Sequence, residues 1–384
     1  MAWMGKRLLA AAALGAILAL AGCHGKDDQD DHGAPVPGGP LVPDTGSVAP
    51  TEVRMTWFGI SNWTFKIGKL NILMDGYTTR IPQDYFSGGG GGLATTKAAW
   101  PIDKAAVDRL YGVLKSGPGG PVNLLITGHS HFDHSFDTPY WAQITRAPIV
   151  GSRTTCYQAR ALAVPASQCI AVYGGEKIVL NQYVTMRVVR WNHSGSHETN
   201  PEQHDPIELQ KVPTPDAAGN LRGGVAEDFP NGGGNRGYLF TITTPNARQL
   251  TFFVTNSGAP QDLDTDSITD GINYGKPLDS LRKAMADAGL PAVDVWIGAG
   301  GQPVAALALP ILKPKAYLPN HLGSFYVPFQ LGNTSPFNDA ALTGYLAQSN
   351  VALVPPNQYL DAWVLDADGF RQVDNAQMKQ AYSF

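Results

Sequence analysis

Between Gly128 and His134 the chain reads Gly-His-Ser-His-Phe-Asp-His, which places three of its nine histidines and a carboxylate within six residues. Imidazole nitrogens and a carboxylate oxygen are the usual ligands of catalytic zinc. Alternate spacing lets His129 and His131 point the same way from an extended loop. Asp133 and His134 can then face a second metal close by, as two-metal hydrolysis requires. The competing reading is a chance cluster on a solvated loop. Downstream lie His193 in Trp191-Asn192-His193-Ser194-Gly195, then His197, His204, and His321 in Pro319-Asn320-His321.

The elements that must position these residues follow from apolar periodicity. Residues 122–127 form a buried-type strand that ends at Gly128, so the histidine cluster begins where a strand stops. Residues 53–58, 64–67 and 70–74 read as strands, the last ending at Asp75-Gly76. Helical spacing over 103–115 puts Ala106, Val107, Leu110, Val113 and Leu114 on one side, and Gly117-Pro118-Gly119-Gly120 stops it. Strands are predicted at 148–150, 170–173 and 184–191, with a helix at 153–162. The habit continues with strands at 238–243, 250–255, 293–297 and 315–318 and helices at 278–288 and 304–312. A helix at 338–347 and strands near 351–354 and 363–365 close the chain. Such alternation predicts an α/β fold.

Two blocks interrupt the rhythm. Residues 88–92 are five consecutive glycines and read as a flexible loop. Residues 198–236 lack periodicity and hold five prolines, and a loop of that length inside a domain is either functional or disordered. His204 lies in it and is expected to be solvated.

The N-terminus reads as a targeting segment. Lys6 and Arg7 precede an apolar stretch over 8–21 that is too short to span a bilayer comfortably. It ends in Leu20-Ala21-Gly22-Cys23, which resembles a bacterial lipobox, so residues 1–22 are expected to be removed and Cys23 acylated. An ordinary secretory signal is the alternative. Residues 23–50, rich in aspartate and proline, read as a flexible stalk in which His24 and His32 are solvated, and residues 51–384 as the folded domain. This places the protein in the cell envelope, on a membrane. Cys156 and Cys169 remain, and in an oxidising compartment a disulfide is expected, against two unpaired small hydrophobes. A net charge of −4 points to no polyanion, so nucleic acid is not an expected partner.

His-x-His-x-Asp-His at 129–134 resembles the signature of the metallo-β-lactamase superfamily, and the resemblance covers roughly residues 51–366. Trp57-Phe58-Gly59 and Leu73-Met74-Asp75 are similar to the branch that holds ascorbate-phosphate lactonases and N-acylphosphatidylethanolamine phospholipase D. The resemblance implies an αββα sandwich with its site at one edge of two sheets. It implies that His129, His131 and His193 hold one metal, and that Asp133, His134 and His321 hold a second. Asp75 then holds a ligand histidine through its other ring nitrogen, or is a turn residue beside Gly76. His197 stands where this branch often carries arginine, so it is a rival ligand, a substrate-handling residue or a solvated loop histidine.

One position departs from the family pattern. Relatives place a metal-bridging aspartate where this chain has Asn256, and a neutral amide is a poor bridge. The second site is expected to bind more weakly, unless Asp262, Asp264 or Asp266 replaces the carboxylate; a solvated acidic loop is the other reading of those three.

The implied activity is zinc-dependent hydrolysis with one or two Zn(2+) per chain. Asp133 would accept or orient the proton of the attacking water, and His197 or a tyrosine would protonate the leaving group. Over 198–236 seven acidic residues outweigh Lys211, Arg222 and Arg236, which disfavours highly anionic substrates. An ester, lactone or amide, small-molecule or lipid-like, is expected. The alternatives are a phosphodiesterase or phospholipase of the same fold, or a non-catalytic metal- or ligand-binding surface lipoprotein, which Asn256 favours.

Overall fold

The computed structural model describes residues 36–42 and 48–384. The expected signal segment, Cys23, His24 and His32 lie outside the described residues. Two large sheets organise the chain. The first runs Gly369–Val373, Ala362–Asp366, Val53–Trp57, Trp63–Ile67, Leu70–Met74, Leu124–Ile126, Ile149–Gly151, Cys169–Ala171. The second runs Ala352–Leu353, Ala316–Pro319, Val295–Gly298, Gln249–Val254, Asn235–Thr243, Val184–Trp191, Lys177–Val179. Both change character part-way across. Antiparallel pairs such as Met55 with Phe65 and Phe65 with Ile72 give way to parallel ones from Leu124–Ile126 onward. In the second sheet the change falls between Gln249–Val254 and Val295–Gly298.

The alternation of side chains along a strand explains how the sheets pack. Phe252 faces the first sheet, with its ring 5.0 Å from Phe65 and stacked 4.4 Å from Phe240. Its neighbour Phe253 faces the other way, into a separate apolar layer with Trp296, Tyr317 and the helices Pro277–Asp287, Gly301–Leu312 and Ala340–Gln348. Helices Lys104–Ser116, Thr138–Thr145 and Arg153–Ala161 bury Val107, Leu110, Trp141 and Cys156 against the first sheet. The order of layers is helix, sheet, sheet, helix, the αββα sandwich that the sequence implied.

Most predicted elements are present with ends shifted by one to three residues; Asp103, for instance, caps the helix Lys104–Ser116 by accepting from the Ala106 N–H at 3.0 Å. Cys156 and Cys169 form the expected disulfide, joining a helix to a strand. Leu41 and Val42, within the expected stalk, donate their N–H groups to the carbonyls of Val179 and Leu180 and so extend the edge of the second sheet.

Both interrupting blocks are built into the domain. The five glycines lie between the short strands Phe86–Ser87 and Thr95–Thr96, and the Gly90 N–H donates to Glu202 Oε1 at 2.7 Å. A Cβ at Gly90 would stand 2.1 Å from the Thr199 carbonyl oxygen, so close approach to the 198–236 block requires glycine there. That block contains the short helix Pro201–His204, and its Leu221 and Phe229 are buried with Phe132 and Phe136. Its polar residues therefore fold around a small apolar anchor.

Candidate metal centre

The strand Leu124–Ile126 ends beneath the centre, and Gly128 turns the chain across the side chain of Asn256. A Cβ on Gly128 would meet all three amide atoms of Asn256 at 2.1 to 2.3 Å, so only glycine fits. His129 and His131 follow on the loop. Asp133 and His134 stand on the single-turn helix Phe132–Ser135. Ser130, between the two loop histidines, donates to the Pro230 carbonyl at 2.6 Å and accepts from the Gly232 N–H at 2.8 Å. The long insertion thus fixes the ligand loop from outside.

Three histidines have the same orienting arrangement. His129 Nδ1 lies 3.1 Å from Asn256 Oδ1, His134 Nδ1 lies 2.8 Å from Asp75 Oδ2, and His193 Nδ1 lies 2.8 Å from the Ser194 carbonyl oxygen. Each acceptor holds a proton on Nδ1, which leaves the Nε2 lone pair for a cation. His129 Nε2 stands 3.1 Å from His131 Nδ1. Two nitrogens bound to one tetrahedral zinc at about 2.0–2.1 Å would be roughly 3.3 Å apart, so this spacing suits a shared ion. His134 Nε2 lies 3.2 Å from Asp133 Oδ2, so a second ion would sit between that ring and the carboxylate.

Ligand-capable atoms gather in two groups, His129–His131–His193 and His129–Asp133–His134. His321 joins the second through Nε2, 3.1 Å from Asp133 Oδ2. Its loop is pinned by Asn320, which accepts from Trp63 Nε1 at 3.0 Å and donates to the Thr255 carbonyl at 2.8 Å. His321 and Asp75 both adopt positive φ, 60° and 61°, a conformation that L-residues reach only when their surroundings impose it.

Electrostatics divides the centre. Burial, and then neighbouring histidines, hold His129 and His193 well below the usual imidazole range; burial takes His131 down to about 3. These three are neutral, the ligating form. Burial also opposes charge on His134, but Asp133 and Asp75 outweigh it and lift the ring to about 10. Asp133 is held ionised, because the charge of His134 outweighs the effect of burial. In the metal-free chain an imidazolium therefore occupies the second group. The donor set fits one divalent ion on the neutral histidines and another on Asp133, His134 and His321.

Asn256 is engaged at both ends of its amide. Its Oδ1 faces His129, and its Nδ2 donates to Asp75 Oδ2 at 2.9 Å, so neither end is free for a metal. It orients other residues instead of bridging ions. Asp75 is a support and not merely a turn residue: Oδ1 accepts from the Gly128 N–H at 3.0 Å while Oδ2 holds His134 and Asn256. Asp264 and Asp266 are exposed, paired with Lys276 and Asn273, and do not reach the centre.

Two other histidines line a cleft of about 570 Å³ that opens beside His193. His197 is exposed, with Nδ1 2.8 Å from Asp205, and takes no part in either ligand group. His204, expected to be solvated, is buried, with Nε2 2.7 Å from Asp262 Oδ2. Tyr326 was not singled out in the sequence: burial and then the nearby Asp133 push its phenol up to about 12. The signal available was the Phe325-Tyr326 pair soon after His321.

No family description and no curated protein matches the chain. Among solved structures it is similar to Igni18, a metallo hydrolase from Ignicoccus hospitalis, at 13% identity over 82% of this chain and 99% of that one, with a TM-score of 0.46. The metallo-beta-lactamase fold protein YhfI from Bacillus subtilis gives 13% identity, 82% and 99% coverage and a TM-score of 0.41. CmlA, a diiron beta-hydroxylase from Streptomyces venezuelae, gives 10% identity, 83% and 55% coverage and a TM-score of 0.40. Likenesses of this degree transfer no activity from one chain to another.

Proposed function

We propose that this protein is a metal-dependent hydrolase, most simply zinc-dependent, acting on an ester, lactone or amide. The observation that supports it is the common orientation of His129, His134 and His193, each with Nδ1 on an oxygen and Nε2 left for an ion. A bound divalent metal supplies a water of lowered pKa and an electrophile for the carbonyl oxygen. Around it, ionised Asp133 receives the proton of the attacking water. His321, with Nε2 3.1 Å from that carboxylate, would share an ion with it. His197 stands in the adjoining cleft, within which it would donate a proton to a leaving group.

Elemental analysis after dialysis, followed by an ester, lactone and amide screen, tests this reading. At least one equivalent of metal and a turnover that His131→Ala abolishes are expected. A chain that retains no metal, or His131→Ala at the wild-type rate, overturns it.

We also propose that the chain is exported and lipid-anchored through Cys23. The Leu20-Ala21-Gly22-Cys23 sequence and a disulfide suited to an oxidising compartment support this. Mass spectrometry of the mature N-terminus should find acylated Cys23; cleavage elsewhere refutes it.

A further inference from the structure

We infer that the cleft beside His193 receives a protonated amine, so that the preferred substrate carries an ammonium group. This rests on the hydrolase reading above and names the substrate class within it. The cleft is lined by Asp205, Asp262 and Asp266 and by no lysine or arginine. His197 and His204 each meet one of the first two aspartates, at 2.8 and 2.7 Å. Even with both of those rings protonated, Asp266 adds a further carboxylate to the lining.

A second, independent feature points to a donor ligand. Asn231 lines the cleft, is 1% exposed, and donates Nδ2 to the His204 carbonyl at 2.7 Å, which fixes its amide orientation. Its Oδ1 is left without a partner. A buried amide oxygen that lacks a donor is costly, and an N–H group from a ligand satisfies it. The apolar wall suits the stem of such a group: Ile207 and Ile268 line the same cleft and are exposed by 49% and 56%. An alkylammonium has this shape, apolar along its length and a cationic donor at its end. A carboxylate or phosphate would instead meet repulsion and offer Asn231 no proton.

The test uses two matched series on the metal-loaded full chain. One comprises the butanoate esters of 5-aminopentan-1-ol, hexan-1-ol and 6-hydroxyhexanoic acid, which differ only in an ammonium, methyl or carboxylate end. The other carries the same three ends on the acyl half, as ethyl esters. In at least one series the ammonium member should exceed the methyl member in kcat/KM by roughly ten- to a hundredfold, with the carboxylate slowest. Asp262→Asn should collapse that ratio towards one, and Asp205→Asn provides a second variant if the first folds poorly. Calorimetric titration with hexylammonium gives a readout without turnover, with binding expected to weaken in the same variants. Equal ammonium and methyl rates in both series overturn the inference and leave the hydrolase reading intact. No turnover of any member overturns the hydrolase reading, and the calorimetry then decides the cleft alone: no hexylammonium binding sinks the inference.

Discussion

Asn256 donates its side-chain N–H to Asp75 Oδ2 at 2.9 Å, and both side chains are buried. Asn256→Asp replaces that donor with a second carboxylate beside the first. Like charges so close and desolvated should destabilise the metal-free protein by about 3 kcal/mol. Added zinc should restore much of the loss, because a cation offsets the new charge. Chemical denaturation with and without chelator checks this, and equal stability of variant and wild type in chelator would rule out the arrangement described here.

Asp75 holds His134 through Nδ1 while also tying Gly128 into the wall. Asp75→Asn should weaken the second metal by about 10- to 100-fold, the usual effect of losing a ligand's orienting partner. The first metal, on His129, His131 and His193, should be far less affected. Competition with a chelator, read by elemental analysis, separates the two sites.

Proton release distinguishes the groups as well. His134 carries its proton up to about 10 in the metal-free chain, so a second metal must displace that proton anywhere below this pH. Its apparent affinity should therefore fall as pH drops. His129, His131 and His193 are already neutral, and the first metal should bind with little pH dependence near neutrality. Calorimetry in buffers of different ionisation enthalpy should find about one proton released with the second equivalent and none with the first. The same raised value stabilises the metal-free fold below the usual imidazole value of 6.5, and that contribution is lost as pH rises through about 10.

Reduction of the Cys156–Cys169 bond should lower stability by about 3 kcal/mol in the chain-entropy account of a short loop. Thiol labelling of the unfolded, unreduced protein should find neither cysteine reactive. Activity should survive reduction below the new unfolding midpoint, since neither cysteine touches the centre.

What could be read in the sequence was what is local. The four candidate ligands of 129–134 announce themselves by residue type and spacing, and His193 and His321 follow strands whose apolar pattern is plain. The αββα architecture came through the family signature, whereas periodicity gave only the alternation of elements. Contacts between distant segments stayed hidden. Nothing near Asn256 says that its amide will be taken up by His129 and Asp75. Nothing near His204 says that Asp262 will bury it. The helix Thr138–Thr145 was missed because its apolar face is barely two turns long and begins at a proline; packing of Trp141 against the sheet makes it helical. Edge strands such as Lys177–Val179 and Gly369–Val373 are short, carry exposed polar residues and lack a strong pattern of their own.

The hold of Ser130 on Pro230 and Gly232 has a practical corollary for anyone wishing to retarget this scaffold. Residues 205–207 supply a wall of the cleft, Pro230 and Gly232 brace the ligand loop, and Asn231 between them lines the cleft, so recognition and chemistry interleave at 230–232. A graft that exchanges 198–229 and stops short of Pro230 should change the cleft wall while sparing Asn231 and the metal geometry. One that runs on through Gly232 would leave the Ser130 hydroxyl without either contact and free the histidines it separates.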